Sequence, residues 1–232
     1  MGHDMKSYGI EAASDGTRID FNDISIESLG AHVLFGDVDE ETTKEASIFL
    51  LKASQLFRNK ELTFFINTCG GHAYDGFALI DLMEICKLPI KTVGLGSVMS
   101  MGVYIFAAGT KGRRILTKNT LVMAHQFSGG THGKYHELIQ DHKANEYLRH
   151  QTLQHFKRHT TMTEKQIDDI LFGASDRYLT PSECKKFGIC DQIVDELPDF
   201  NVDFSTTARS PVRQPRLAKP RTPAAGSKRQ PR

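Results

Sequence analysis

Four short segments carry the groups that nucleophilic chemistry uses. Met99-Ser100-Met101-Gly102 sets a hydroxyl between two methionines, and Met123-Ala124-His125-Gln126-Phe127-Ser128-Gly129-Gly130 places an imidazole directly after an apolar run. Asp176-Arg177-Tyr178-Leu179-Thr180 opens on a carboxylate, and Asn67-Thr68-Cys69-Gly70-Gly71 adds a glycine pair whose backbone can approach another group without a Cβ in the way. A serine hydroxyl is a weak nucleophile at neutral pH; it needs an adjacent base, and that base needs a partner to hold its tautomer. Taken singly, each residue has an ordinary explanation. A serine among small residues packs a helix, and a lone histidine after a strand is a satisfied core or surface group.

Other chemistries find less support. The four cysteines, Cys69, Cys86, Cys184 and Cys190, form no CxxC pair and no Cys/His ligand spacing, so reduced, mostly buried thiols are expected. His132/His136 and His155/His159 have the i, i+4 spacing of metal ligands, but no acidic third ligand is fixed beside them in sequence. A solvated helix face is therefore the expectation, with no metal assigned. No phosphate-cradling GxxxxGK[ST] occurs, so ATP hydrolysis is not expected of this chain.

The elements that must position these residues read as strands alternating with helices between Ile19 and Val194, the pattern of an α/β core. Residues 32–35 read as a strand, and Asp39 offers an N-cap to a helix whose inner stripe is Ala46, Leu50, Ala53 and Phe57. Residues 62–66 read as a buried strand broken at Gly70-Gly71, followed by a helix over 74–86 and a strand over 90–95. Residues 97–108 look helical and rich in small residues. Strands at 114–116 and 121–124 flank a Lys118-Asn119 turn, and the polar stretch 136–159 reads as a long helix standing clear of the core. Thr180-Pro181-Ser182-Glu183 is a sharp helix start, and 189–194 reads as the last strand.

Length and composition fit one sizeable core with tails: a polar N-terminal segment 1–18, a globular domain 19–204 and a tail 205–232. The tail holds eight Lys/Arg and no Asp/Glu, which leaves 21 basic against 28 acidic residues elsewhere, a balance of −7 beneath a whole-chain net charge of +1. With five of the eight prolines and few large apolar residues, it is expected to be a disordered basic tail. No apolar stretch follows a basic start, and the longest apolar run, 98–108, is far short of the ~20 residues that span a bilayer, so a cytoplasmic location is expected.

The four chemical segments, in this order and spacing over 33–194, resemble the ClpP peptidases. Their joint occurrence reverses the preference for the ordinary explanations. The resemblance implies an α/β spiral of ββα units of the ClpP/crotonase type, with a handle helix projecting from about 133 to 159. It implies a serine endopeptidase with Ser100 as nucleophile, His125 as general base and Asp176 orienting the histidine. The amides of Gly71 and Met101 match the oxyanion-hole positions, and Gly70, Gly129 and Gly130 would flank an extended peptide. Neither a cofactor nor a metal is implied.

Stacked homo-oligomeric rings acting on unfolded polypeptides, fed by an ATP-dependent unfoldase, follow from the same resemblance. Neither a membrane nor, except through the basic tail, nucleic acid is an expected partner. Three departures stand out: Cys69 where proline is usual, Ser175 where an arginine often pairs across rings, and Thr63 and Thr117 in an apolar docking pocket otherwise made by Phe65, Ile85, Val93, Leu95, Ile115 and Val194. The basic tail, Ser175 and the thinned docking pocket motivate an alternative, a virus-encoded ClpP-like peptidase that trims capsid or scaffold proteins without an ATPase. A noncatalytic or crotonase-like acyl-CoA-binding relative is a further alternative, against which Ser100, His125 and Asp176 argue together. A Ser-Lys dyad would need a lysine such as Lys111, which sits in a Gly109 to Gly112 turn, and His125 makes it unnecessary.

Overall fold

A computed structural model describes residues 9–11, 18–20, 24–57 and 61–196. The basic tail and most of the N-terminal segment lie outside the described residues.

Two short antiparallel strands, β1 (Gly9–Glu11) and β2 (Arg18–Asp20), precede a 3₁₀ turn at Ile26–Leu29. Strand β3 (Ala31–Val38) leads into helix α1 (Glu40–Leu56), which starts where expected: the Asp39 carboxylate accepts from Thr42 N–H at 2.9 Å, and the Thr42 hydroxyl returns a bond to the cap. Then follow β4 (Leu62–Gly71), α2 (Ala73–Ile85), β5 (Ile90–Met99), α3 (Met101–Ala107), β6 (Arg114–Thr117) and β7 (Leu121–Ala124). The long α4 (Tyr135–His159), α5 (Glu164–Leu171), β8 (Arg177–Leu179), α6 (Pro181–Lys186) and β9 (Gln192–Val194) complete the described elements. The result is a mixed α/β fold on a largely parallel sheet, as the sequence implied.

The main sheet runs β3-β4-β5-β6-β9, all parallel. Strand β5 serves two partners in turn. Its first half pairs with β6 through Thr92, Val93 and Gly94, and its second half pairs with β7 through Ser97, Val98 and Met99. Between the halves the register with β4 slips, and the Asn67 side chain bridges the irregularity by accepting from Ser97 N–H at 3.1 Å and from the Ser97 hydroxyl at 3.0 Å. Asn67 thus ties β4 to the second half of β5, the half that leads to the site.

Residues alternate between two apolar faces of the sheet. Phe64 and Ile66 enter the main core with Leu34, Phe49, Leu79, Phe106 and Phe156, beneath the helices. Phe65 points the other way, into a smaller cluster with Ala31, Val93 and Ile115, against which Leu95 and Val194 pack. Five of the six apolar residues named for the docking pocket are therefore on one face; Ile85 stands apart at the exposed end of α2, 72% exposed.

Several expectations need correction. Gly70 and Gly71 end β4 rather than breaking it. Residues 97–99 are strand, and only Met101–Ala107 is helix, because β7 supplies the ladder partner that a small-residue stretch cannot reveal alone. Helix α4 stands clear over its first turns, but its C-terminal half buries Leu148, Thr152, Leu153, His155 and Phe156. The last strand is limited to Gln192–Val194, while α5, with a Thr163 capping box, and β8 were not anticipated. All four cysteines are free, and burial pushes the Cys184 and Cys190 thiols up, Cys190 to about 11. Among the described residues no helix is long and apolar enough to cross a membrane.

Candidate active site

The site begins where β5 turns into α3. Ser100 sits at that turn with φ 51° and ψ −124°, the one non-glycine residue at positive φ among those described. Such a conformation costs on the order of 1–3 kcal/mol and persists only when its surroundings enforce it. Here the enforcement is visible: Ser100 N–H donates to Met123 O on β7 at 2.8 Å, and Ser100 O accepts from Val103 N–H at 2.9 Å. One residue is thereby tied to a strand and a helix at once.

Behind the serine, β4 closes in. Gly70 has φ 96° and is buried, and its amide donates to Thr68 Oγ1 at 2.9 Å. Gly71 lets β4 lie against β3, since a Cβ there would stand 2.2 Å from Val38 O. Met101 is the first residue of α3, so its N–H has no carbonyl acceptor within that helix.

Strand β7 carries the second group. His125 follows its last residue, and Nε2 lies 2.8 Å from Ser100 Oγ, a contact in which the hydroxyl can donate to the unprotonated nitrogen. Both residues are half-buried. Strand β8 runs antiparallel to β7 with Ala124 opposite Arg177, so one further step along the ladder sets Asp176 across from His125. Asp176 is exposed, and among the described residues no hydrogen bond joins it to the imidazole. Nearby Asp168 is engaged elsewhere, bound to Arg149 at 2.6 Å, whose guanidinium lies over Phe172.

These residues face a cleft of about 590 Å³. Ser100, His125, Gly71, Met101, Gly129 and Gly130 all line it; Gly70 lies behind the serine and Asp176 beyond the lining. A Cβ on Gly129 or Gly130 would meet open space, so these glycines leave the rim of the cleft open rather than relieving a clash. Lys111 is in an exposed turn at the far end of α3 from Ser100.

Sequence reasoning missed the opposite walls. Helix α4 contributes Asp141, Asn145, Leu148 and Thr152, and α2 and α3 contribute Phe77 and Tyr104. The α4 residues follow i, i+4, i+7, i+11 spacing, a stripe that would have marked them. Burial pushes the Tyr104 phenol up to about 12, so it forms a neutral wall and no base.

A positive-φ serine whose hydroxyl lies 2.8 Å from a histidine nitrogen, beside a first-turn helix amide on an open cleft, is an arrangement that can carry out acyl transfer. Comparison with known proteins points the same way. The Clp protease family profile matches residues 25–197. The ATP-dependent Clp protease proteolytic subunit of Deinococcus radiodurans is 32% identical over 192 residues, covering 82% of this chain and 92% of that protein. ATP-dependent Clp protease proteolytic subunit 2 of Thermobifida fusca is 31% identical over 162 residues, covering 70% of this chain and 79% of its own length. On this fold, this site and this match, the chain belongs to the Clp protease family.

Proposed function

We propose that the chain is a serine endopeptidase that hydrolyses peptide bonds through an acyl-enzyme, with Ser100 as nucleophile, His125 as general base and Asp176 as the carboxylate that orients the imidazole. The observation that carries this reading is the 2.8 Å contact between Ser100 Oγ and His125 Nε2 at a serine held in a strained turn. A peptide lies extended between the end of β4 and the 128–130 loop. Attack moves the hydroxyl proton to Nε2 as Oγ bonds the scissile carbonyl, and the Gly71 and Met101 amides receive the oxyanion. The imidazolium then gives its proton to the departing amine. Water repeats the sequence to release the acid and restore Ser100.

Both relatives are named as proteolytic subunits of ATP-dependent proteases, which supports an unfoldase partner and unfolded polypeptide substrates. The face bearing Phe65, Val93, Leu95, Ile115 and Val194 is the docking surface in this reading. The first half of α4 exposes Tyr135, Leu138 and Ile139 for contact with another ring. Labelling of the assembled protein with a fluorophosphonate, read by mass spectrometry, tests the chemistry: modification is expected at Ser100, and modification elsewhere, or none, refutes the assignment.

A further inference from the structure

We propose that Glu84, His155 and His159 form a binding site for a divalent transition metal of the zinc class, joining the C-terminal end of α4 to α2. The sequence offers His155 and His159 one helical turn apart without an acidic companion; the fold supplies one in Glu84, the penultimate residue of α2. One ligand atom from each of the three lies within 4.8 Å of the others. His159 Nε2 is already 2.9 Å from Glu84 Oε1, and the two imidazole ring centres are 4.6 Å apart.

His155 supplies the second observation. It is wholly buried, so the solvated face expected from sequence is not what this pair presents. Its Nε2 lies 3.0 Å from Tyr104 O, and because a carbonyl only accepts, that nitrogen carries the proton. The lone pair is left on Nδ1, which is sealed from solvent with no hydrogen-bond partner. A buried acceptor without a donor calls for an explanation, and a cation provides one. Metal-bound histidines characteristically donate their other N–H to a carbonyl or carboxylate, which fixes the ring; here that bond is in place.

Two imidazoles and one carboxylate form a donor set suited to zinc, cobalt or nickel rather than calcium or magnesium. Bonds of ~2.0–2.2 Å in a tetrahedron bring ligand atoms to about 3.4 Å, so separations of up to 4.8 Å have to shrink by up to about 1.4 Å. The side chains of Glu84 and His159, 31% and 15% exposed, can make that movement and leave a position for water. Two cations are close. Arg158 bonds Glu84 Oε1 at 3.0 Å but is 55% exposed and can turn to solvent, whereas Arg114, which donates to His159 O, is held by Asp191. The ion would brace the back of the cleft, because His155 stacks on Tyr104 and meets Phe77 edge-on.

The test uses the full chain, stripped with a chelator and titrated with Co²⁺, followed by its visible ligand-field bands, and with Zn²⁺ by calorimetry. One equivalent per chain is expected to bind with a Kd at or below about 10 μM. Glu84→Gln and His159→Gln, both at partly exposed positions and checked for folding by circular dichroism, should each weaken binding at least tenfold. Joint replacement of the exposed pair, His132→Gln with His136→Gln, should leave it unchanged. A wild-type Kd weaker than about 10 μM, undiminished binding in the Glu84 and His159 variants, or loss of binding in the His132/His136 variant would each overturn the site.

Discussion

A β-carbon on Gly70 would stand 2.5 Å from the Cβ of Ser100 and 2.8 Å from Met99 O, so β4 reaches the back of the serine only because residue 70 has no side chain. Ser100, at φ 51°, is held from behind by this contact and from the side by Met123. Gly70→Ala is therefore expected to keep the fold while displacing the turn. A shift on the order of 1 Å at a reacting group costs roughly 10² in rate, and that loss should appear in kcat/KM with little change in far-ultraviolet circular dichroism. Unchanged turnover would mean that the turn tolerates the intrusion.

Ser100→Ala is expected to lower kcat by on the order of 10⁶, and His125→Ala by nearly as much, because nucleophile and base act as one unit. Their 2.8 Å contact motivates this coupling. Hydrolysis of a short fluorogenic peptide by the double variant should be no slower than by Ser100→Ala alone. Additive losses would separate the two roles.

Asp176→Asn is expected to lower kcat by on the order of 10⁴ with little structural change, since an amide favours the wrong imidazole tautomer. Its basis is the β7–β8 register, which sets Asp176 across from His125. Near-normal turnover would move the orienting role to another carboxylate. Asp169, exposed on α5, is then the next to test, because Asp168 is occupied by Arg149.

Asp191 supports a prediction about stability and pH. Its carboxylate accepts from Gly112 N–H, Arg114 N–H and the Arg114 guanidinium, while Arg114 is 3% exposed and also donates to His159 O, so the pair ties β6 to the end of α4. Burial by itself would raise the Asp191 carboxyl, but the Arg114 hydrogen bonds and charge outweigh it and hold the group below its ordinary 3.8. A depressed carboxyl stabilises the fold above the unfolded pKa, and that contribution is lost as pH falls through the folded one. Asp191→Asn should thus cost about 3 kcal/mol at neutral pH, where it strands a buried guanidinium. The difference in urea midpoint between variant and wild type should shrink as the pH is lowered from 7 past about 4. A difference independent of pH would show that shape, not charge, is what Asp191 contributes.

What the sequence by itself determined are the features governed by short-range physics and by motif. The Asp39 and Thr180 caps form as read because each cap and its partner are three residues apart, and β7 matches its expected bounds because its apolar run ends at the turn chemistry beside it. The segments holding Ser100, His125 and the glycines were legible as types and spacings. Tertiary structure decided what depended on distant partners. Residues 97–99 are strand because β7 pairs with them, and Asp176 comes level with His125 because β8 returns antiparallel along β7. Glu84 meets His155 and His159 because α2 and α4 pack on the same core, and no local pattern encodes a meeting between side chains 71 and 75 residues apart. Local sequence sets which backbone hydrogen bonds and side-chain caps can form at short range, whereas burial and long-range pairing emerge only once the sheet has brought those surfaces together.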